Sequence, residues 1–478
     1  MDILYRISYI LFFVFFGYFV LVMVYYLLLS LIGLREGRVR AKEGAEEDYA
    51  MAYFSSLAIP VSIVMPARNE EGWIRDSLYS ILKLNYPDFE VIIVDDGSSD
   101  RTPEILDNIL KLKPIDMPYV KHYKDGMVRE ILVSSVYPNV KVISKHPGVK
   151  KAGAVNAGLN IARNKYVCVI DADTVLEPDS LLRVMAHVER EPEKIIGVGS
   201  YFGISNGIKV DKGRITNKSF SYNPLIAYQN LEYIRSFMGN RIAWSKFNAM
   251  PTIAGGFGIW RRDILYELGG FSSDFTCEDI ELTFRAHDYA AKNKEKGYKI
   301  LMLPYIVSWT DGPNTVPSLI VQRNRWQRVT NETAWRYKYM FMNPRYGLFA
   351  FITLPYFILY EVFGVFFEVS SIVLAIIGWV NGVFDTAMFL AFLALMLLCQ
   401  AIMTLSSIFA FINTQRVFKV GYILYLTLLA MVEFFCYRWI ISIARITGTI
   451  DYFMGKRGFT QYEREKRSLF KWGQAKGR

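Results

Sequence analysis

An uncharged run from Ile7 to Leu34 constrains the fold of this chain more than any other feature. As an α-helix the run would be about 40 Å long, whereas the hydrocarbon core of a bilayer is about 30 Å thick. A secretory signal has a shorter apolar region and a small-residue cleavage site, a pattern that this run does not follow. The run therefore predicts a membrane anchor, and by the positive-inside rule the basic residues after it predict that the next segment is cytoplasmic. These basic residues are Arg35, Arg38, Arg40 and Lys42.

Three further apolar runs lie at about residues 347–380, 385–412 and 420–444. A proline and two glutamates interrupt the first of them, which predicts an interfacial or partly re-entrant front half and a spanning back half. Residues 455–478 carry eight Lys or Arg and two Glu, which favours a cytoplasmic tail. Three complete spans would place that tail outside, so either the first run crosses twice or one later run does not cross.

The apolar runs divide the chain into four predicted parts. These are an anchor with a basic juxtamembrane segment (1–44), a charged cytoplasmic domain (45–345), an interfacial helix with about three transmembrane helices (346–450) and a basic tail (451–478). Four widely separated cysteines exclude a disulfide scaffold, and the four histidines lack the spacing of a zinc site. The net charge of +10 is concentrated near the apolar runs, so we expect no nucleic-acid partner.

The charged domain alternates apolar strands with helices. Strands are predicted at residues 61–65, 90–94 and 165–170, because each run is short and rich in apolar or β-branched residues. A helix is predicted over residues 101–112, with Thr102 as its N-cap. This alternation predicts an α/β sheet, in which ligands gather at the carboxyl ends of the strands.

An acidic D-A-D motif, Asp171 to Asp173, follows the third predicted strand. Two carboxylates at this spacing suit a hard divalent cation, and Mg²⁺ or Mn²⁺ fits better than Zn²⁺. Such a cation neutralises a phosphate-bearing ligand and stabilises a pyrophosphate leaving group. The alternative is that these carboxylates are only turn or cap residues.

Five other motifs carry polar or charged side chains. P-A-R-N-E-E (66–71) and D-D-G-S (95–98) follow the first two strands, where they suit hydrogen bonds to the base and ribose of a nucleotide. K-K-A-G-A-V-N-A-G (150–158) begins a helix, and its lysines and small residues suit the close approach of a phosphate. The alternative is that this helix is only a basic surface. The acids of F-T-C-E-D (275–279) begin another helix, where a cap is the alternative. Q-R-N-R-W (322–326) places an amide, a guanidinium and an indole on one helix face, an arrangement that suits binding of a sugar diphosphate. The alternative is that the arginine and tryptophan belong to a belt at the membrane interface.

In this order, the motifs resemble the membrane-integrated glycosyltransferases of family 2, which include the cellulose, hyaluronan, chitin and poly-N-acetylglucosamine synthases. The resemblance covers about residues 58–330 by motif and the flanking apolar runs by layout. It implies an α/β, GT-A-type (Rossmann-like) catalytic domain inserted between an N-terminal and several C-terminal transmembrane helices. It also implies a nucleotide-diphosphate sugar donor, which we expect to be a UDP-sugar, and a multi-pass plasma-membrane protein whose catalytic domain is cytoplasmic.

The resemblance further implies a role for each motif residue. The donor nucleotide would be bound by Pro66, Arg68, Asn69, Glu70, Asp95, Asp96, Lys151 and Asp171. Asp173, with Asp171, would hold Mg²⁺ or Mn²⁺ on the diphosphate. Asp279, beside Glu278, would be the general base that takes the proton of the acceptor hydroxyl. Gln322, Arg325 and Trp326 would close over the diphosphate and the acceptor.

Three functions stay open at this point. The first is an inverting, metal-dependent synthase that extends a β-linked polysaccharide. The second is transfer of a single sugar onto a lipid such as a polyprenyl phosphate or a ceramide-like lipid, because ceramide glucosyltransferases resemble the same motifs. The third, a non-catalytic scaffold or transporter, is disfavoured by the intact motifs.

Two further features leave the choice between these functions open. Charged residues inside the apolar runs favour a polar path or a lipid-headgroup pocket: Glu361, Glu368, Glu433 and Arg438. The aromatic segment 201–250 either shapes the acceptor site or packs inside the protein.

Overall fold

The computed structural model describes residues 2–45, 58–148, 150–217, 220–380, 382, 386–415 and 419–456. The chain forms two compact units. One comprises the described residues within 1–42, 222–251 and 315–456, and the other comprises those within 43–221 and 252–314. The predicted basic tail lies outside the described residues beyond residue 456. The predicted domain boundaries at 44/45 and 345/346 stay a prediction. In the structure, residues 222–251 and 315–345 pack with the apolar helices.

A mixed ten-stranded sheet forms the core of the second unit, in the order β3-β4-β5-β2-β1-β6-β11-β8-β12-β7. The strands are β1 Val61–Ala67, β2 Phe89–Asp95, β3 Leu112–Ile115, β4 Val128–Ser134, β5 Val140–Lys145, β6 Tyr166–Val169, β7 Val175–Leu176, β8 Ile195–Ile204, β11 Gly258–Arg261 and β12 Lys299–Thr310. A separate hairpin pairs β9 Lys209–Asp211 with β10 Arg214–Asn217. The three predicted strands are confirmed as β1, β2 and β6.

The central strands β5, β2, β1 and β6 are parallel, so their carboxyl ends meet at one edge. Strand β11 is antiparallel to both β6 and β8, and β3 and β4 form an antiparallel edge next to β5. All residues of β1 and nearly all of β2 are buried, as expected for strands covered on both faces by helices. The centre of the sheet is therefore parallel and covered by helices, as in α/β folds, whereas its flanks also contain antiparallel strands.

Among the described residues, six α-helices belong to the sheet unit. They are α2 Ile74–Leu82, α3 Thr102–Leu110, α4 Lys151–Ile161, α5 Ser180–Arg190, α8 Arg262–Glu267 and α9 Glu278–Lys292. Helix α4 packs closely on the sheet, because a Cβ on Gly158 would lie 2.4 Å from Val64 Cγ1. Because this position has no side chain, the second half of α4 lies directly against β1.

The other unit is helical. Its α-helices are α1 Asp2–Ala45, α6 Pro224–Ile234, α7 Ile242–Lys246, α10 Val316–Arg336, α11 Gly364–Val380, α12 Thr386–Thr414, α13 Val420–Val432 and α14 Tyr437–Phe453. A π-helix, Arg235–Arg241, joins α6 to α7, and an irregular helix over residues 349–362 precedes α11.

Two of these described helices, over Tyr9–Gly44 and Leu393–Thr414, are long and apolar enough to cross a membrane. Two bent pairs pass the same test when each is taken together. The first, Phe349–Val362 with Gly364–Val380, bends by 51°, and the second, Val420–Phe435 with Tyr437–Phe453, bends by 54°. The count of up to four spans agrees with the predicted anchor and about three later spans, and insertion into a membrane stays a prediction.

Each acidic residue predicted inside the apolar runs has an arginine partner. Glu433 is paired with Arg235 at 2.5 Å, and Glu368 with Arg438 at 2.6 Å. The third acid, Glu361, lies 3.3 Å from Arg445. Each pair neutralises its carboxylate, which matters most for Glu433, because that side chain is buried and a buried unpaired charge is costly.

The aromatic segment 222–250 packs within the helical unit. Tyr228 stacks on Tyr437 with ring centroids 4.9 Å apart, and the Trp244 indole nitrogen donates to the Tyr25 hydroxyl at 3.0 Å. These contacts favour the packing interpretation for this part of the segment.

Candidate active site

The motifs after β1 and β2 are hydrogen-bonded to each other at the carboxyl edge of the sheet. Asn69 has a φ of 58°, a left-handed conformation that asparagine tolerates better than most residues. Its backbone nitrogen donates to Ser98 Oγ at 3.0 Å, and its side-chain oxygen accepts from the Ser99 nitrogen at 2.8 Å. The two predicted nucleotide-binding segments therefore form one surface.

Thr102 joins the same surface instead of capping its helix. Helix α3 begins at Thr102 itself, with Arg101 in the cap position and without a side-chain cap. The Thr102 hydroxyl instead accepts a hydrogen bond from the Glu70 nitrogen at 2.9 Å. The predicted N-cap role is therefore wrong, because the P-A-R-N-E-E segment uses the hydroxyl from outside the helix.

Pro66 lies within β1, between the apolar part of the strand and the polar motif. Its partner in β2 is Val94, whereas the pairing of β1 with β6 ends at Val64. A proline cannot donate to a strand ladder, and here it stands beyond the last β6 partner. From this point β1 pairs only with β2, as far as Ala67 and Asp95, and Arg68 is the first residue after the strand.

Asp95 and Asp96 are both buried, at 6% and 4% exposure. The Asp95 carboxylate accepts from the Ser98 nitrogen at 3.1 Å, so it shapes the turn of D-D-G-S. Asp96 forms a short ion pair with Lys145, which is fully buried at the end of β5. Burial raises the pKa of Asp96 above its usual value, although the lysine and Arg68 oppose this shift.

Lys151, the first residue of α4, lies between two carboxylates. Its Nζ is 2.5 Å from Asp171 Oδ1 and 2.9 Å from Glu278 Oε1. Burial opposes the charged ammonium, but Asp171 and Glu278 outweigh it and raise the pKa of Lys151 well above its usual value. The structure therefore joins the D-A-D turn to the start of α9 through one ammonium group.

Asp279 completes this cluster from the first turn of α9. Its Oδ2 accepts from the Gly255 nitrogen at 2.9 Å, and its Oδ1 accepts from the Ile280 nitrogen at 2.7 Å. Burial and the neighbouring Glu278 carboxylate raise the pKa of Asp279, while Lys151 and the two amides oppose the rise. An aspartate with a raised pKa at a strand edge is typical of a group that accepts a proton near neutral pH.

The D-A-D carboxylates fit a hard cation that also binds a diphosphate. Asp173 is buried, and Thr174 Oγ1 lies 3.5 Å from its Oδ1, whereas Asp171 is about a third exposed and already paired. Among the described residues, no group of three or more His, Cys, Asp or Glu side chains is placed to hold a metal ion. Mg²⁺ and Mn²⁺ suit such a site, because carboxylate and water oxygens are their usual ligands and Mg²⁺ typically binds one or two carboxylates together with substrate phosphates.

The Q-R-N-R-W motif lies on a helix, α10, as predicted, although by packing α10 belongs to the helical unit and not to the sheet unit. Gln322 is buried, while Arg325 and Trp326 are partly exposed. The guanidinium of Arg323 lies over the Trp326 ring at 4.0 Å from its centroid and pairs with Glu232 at 2.8 Å. The indole thus packs against a guanidinium that the sequence did not single out and that is itself held by an ion pair.

Models of two related families match the chain. The model described as Glycosyl transferase family group 2 covers residues 166–437, more than half of the chain, and the one described as Glycosyl transferase family 2 covers residues 62–269. The chain is a family 2 glycosyltransferase. The predicted resemblance is thereby confirmed, and both matched ranges include the D-A-D turn.

Curated relatives of this glycosyltransferase include a poly-β-1,6-N-acetyl-D-glucosamine synthase of Staphylococcus epidermidis. The two are 27% identical over 276 residues, which cover 58% of this chain and 56% of the synthase. The chain therefore spans little more than half the length of this relative. The "Probable glycosyltransferase YdaM" of Bacillus subtilis is 29% identical over 387 residues, which cover 77% of this chain and 79% of YdaM.

A solved structure shares the fold over most of the chain. It is the mannosyltransferase PcManGT of Pyrobaculum calidifontis in complex with GDP-Man and Mn²⁺, which covers 91% of this chain and 99% of its own. The TM-score is 0.53 and the identity 17%, so the likeness shows the fold alone. The fold of the glycosyltransferase is GT-A-like, with a mixed α/β sheet, as the sequence predicted.

Three contributors to the site were not predicted: Lys145, Gly255 and Arg323. Lys145 had a usable signal, because it ends a β-branched strand at the same edge as Asp95 and Asp96. Gly255 and Arg323 had none, since a backbone amide and a stacking guanidinium are recognised only from their neighbours in space.

Proposed function

We propose that this glycosyltransferase is membrane-bound, inverting and metal-dependent, and that it extends a β-linked polysaccharide from a nucleotide-diphosphate sugar, a UDP-sugar by preference. The resemblance to a poly-β-1,6-N-acetyl-D-glucosamine synthase supports a polysaccharide product. The apolar helices support a multi-pass location, for which we propose the plasma membrane, and the basic residues after the first apolar run support a cytoplasmic sheet unit. The partners proposed are therefore a nucleotide sugar, a saccharide acceptor and the lipid bilayer.

The observation that carries the proposal is the cluster of Asp279, Lys151 and Asp171 at the carboxyl edge of the sheet. A sugar hydroxyl is a poor nucleophile until a carboxylate removes its proton in the transition state. Asp279 has a raised pKa and a backbone amide that holds its orientation, so it suits this role. Glu278 supports it by pairing with Lys151 and by its negative charge.

The proposed step is a single displacement. The acceptor oxygen forms a bond to the anomeric carbon while the bond from that carbon to the diphosphate oxygen breaks. The proton of the hydroxyl passes to Asp279, and the nucleoside diphosphate leaves with the bonding electrons. Attack from the face opposite the leaving group inverts the anomeric centre, so an α-linked donor gives a β-linkage.

The other motif residues are assigned to the donor and acceptor. The nucleotide is bound by the joined surface of Pro66, Arg68, Asn69, Glu70, Asp95 and Asp96. Asp173, together with Asp171, would hold Mg²⁺ or Mn²⁺, and the cation would stabilise the charge of the diphosphate. Lys151 supplies a positive charge near the same phosphates, and Gln322, Arg325 and Trp326 bind the diphosphate and the acceptor sugar.

A donor screen on the purified full chain tests this proposal. UDP-glucose, UDP-N-acetylglucosamine, UDP-glucuronate and GDP-mannose are each offered with Mg²⁺ or Mn²⁺, and nucleotide release and product size are measured. A growing product supports the polymerase. Release that requires added lipid, with one sugar per product, would instead support transfer to a lipid acceptor.

Asp279→Asn tests the catalytic assignment in the same assay. Loss of a positioned base lowers the rate about 10²- to 10⁴-fold. The matched control is Asp288→Asn on the same helix, whose carboxylate pairs with the exposed Lys292, so its activity should stay near wild type. Equal activity of Asp279→Asn and the control would refute the general-base role.

A further inference from the structure

A patch of exposed cations and large apolar side chains spans the end of α10 and the segment after it in the helical unit. It comprises Trp335, Arg336, Lys338, Tyr339, Phe341, Met342, Arg345 and Leu348, and we refer to it as the basic aromatic patch. Trp335 is 62% exposed and Met342 51%, values that are high for such large apolar residues. This surface lies outside the motifs of the candidate active site.

The charged side chains of the patch are all cations, and the nearest acid along the chain is Glu332, one turn before Arg336 on α10. The sequence holds three cations and no acidic residue between Glu332 and Glu361. Lys338 Nζ lies over the Trp335 ring, 4.3 Å from its centroid, so a cation and an indole are presented together. A surface that combines cations with aromatic rings complements the headgroup region of a bilayer, where phosphates meet the ends of the acyl chains.

The exposed side chains are held in place by an ordered backbone. Two short 3₁₀ turns, Lys338–Met340 and Pro344–Tyr346, carry the patch. Met340 points inward and is fully buried, and the Asn343 side chain caps the second turn by accepting from the Arg345 nitrogen at 3.0 Å. The inner side of the segment therefore packs, while its outer side presents the cations and rings.

The patch continues directly into apolar helices. The bent pair that begins at Phe349 is apolar enough to form a broken span, and Phe349 itself is buried. A segment that leads into such a pair would lie at the depth of the lipid phosphates. The connection of the patch to the apolar helices and its net positive charge both favour one binding partner, a lipid surface that bears negative charge.

We infer that the basic aromatic patch docks on anionic phospholipid headgroups and thereby sets a lipid preference for this enzyme. The inference rests on the proposed membrane location. The cations pair with lipid phosphates while the aromatic and aliphatic side chains enter the interface. Each cation near an anionic surface strengthens binding roughly fivefold, so three together contribute on the order of 100-fold at low ionic strength.

Hydrogen exchange of the full chain in lipid nanodiscs tests the inference. Discs contain phosphatidylcholine alone or phosphatidylcholine mixed with phosphatidylglycerol, and peptides covering residues 335–348 are followed. We expect these peptides to exchange at least about fivefold more slowly in the anionic discs, which is the contribution of a single cation. At about 1 M salt, where the Debye length is about 3 Å, the difference should disappear.

The variant Arg336→Gln/Lys338→Gln/Arg345→Gln should lose the difference between the two lipids. A control that removes the same charge from exposed positions of the sheet unit, Lys113→Gln/Arg129→Gln/Lys294→Gln, should retain it. Both variants are checked for wild-type nucleotide release in detergent, because a misfolded chain would also lose protection.

Three outcomes would overturn the inference. One is equal exchange of residues 335–348 in neutral and anionic discs. Another is equal loss of protection in the control, which would indicate a response to net charge alone. The third is protection in detergent that grows with protein concentration, which would indicate a second copy on the patch. Hydrogen exchange in α12 distinguishes a failure of the lipid-preference inference from a failure of the proposed membrane location. An α12 that is unprotected in both kinds of disc would refute membrane insertion itself.

Discussion

Two adjacent glycines in the loop before β11 give the sharpest test of the active-site geometry. A Cβ on Gly255 would lie 3.0 Å from Lys151 Nζ, 3.6 Å from Asp279 Oδ2 and 4.0 Å from Asp171 Oδ2. A Cβ on Gly256 would meet only Thr174 Oγ1, at 3.9 Å. Gly255→Ala therefore adds one methyl group against three charged groups, and Gly256→Ala adds the same group in ordinary contact.

The expected magnitude follows from these distances. A contact of 3.0 Å obliges the ammonium group to move by a few tenths of an ångström, and the flexible end of a lysine does so at little cost in stability. The backbone nitrogen of residue 255 still donates to Asp279. Misplacing reacting groups by about 1 Å costs about 100-fold in rate, so we expect Gly255→Ala to lower kcat/KM about 10- to 100-fold. This corresponds to about 1.4 to 2.7 kcal/mol in the activation free energy.

Nucleotide release with the donor identified by the screen measures kcat/KM, and thermal unfolding in the same detergent measures stability. Gly255→Ala should unfold within a few degrees of wild type, and Gly256→Ala should match wild type in both assays. Equal activity of the two variants would refute the arrangement of Lys151, Asp171 and Asp279 around residue 255. A large loss of stability in Gly255→Ala alone would show that the cluster is mainly structural.

Two further predictions concern the metal and the pH dependence of stability. Asp173→Asn should weaken Mn²⁺ binding about 10-fold or more, as measured by paramagnetic resonance with the nucleoside diphosphate present. Asp171→Asn should weaken Mn²⁺ binding less, because the Asp171 carboxylate is shared with Lys151. A larger effect of Asp171→Asn than of Asp173→Asn would contradict this ranking. Burial raises the pKa of Glu90, but Lys141, Ser62 and the Arg163 amide outweigh it, so the pKa is lower in the folded chain than the ordinary 4.5. The stability it contributes is therefore present above pH 4.5 and lost as the pH falls through the folded pKa. Glu90→Gln should cost about 3 kcal/mol at neutral pH and flatten the acid limb of the melting temperature, and an unchanged limb would contradict this reasoning.

The strands and the helix starts that form the site were predictable because their signals are local. A β-branched run indicates a buried strand, and acids at the start of an apolar-periodic stretch indicate the first turn of a helix. Asp171, Asp173 and Asp279 could therefore be placed at a strand end or helix start without any tertiary information. The order of the motifs was also sufficient to predict the family.

The partners within the site were not predictable in this way. Lys151 was predicted to face a phosphate, and its assignment to the donor stays a prediction, but in the structure its ammonium joins Asp171 to Glu278. Thr102 was misassigned because its hydroxyl is used by a residue 32 positions away in the chain. Composition and periodicity carry no information about which distant side chains meet.

The sequence by itself determined the apolar runs, the alternation of strands and helices and the positions of the acidic motifs, because these depend on the period and chemistry of neighbouring residues. Only the tertiary structure decided that Asp96 is neutralised by Lys145, that the Gly255 amide orients Asp279 and that Glu433 is held by Arg235. Each of these contacts joins residues far apart in the chain. Their energies depend on distance and burial, and both are properties of the packed fold.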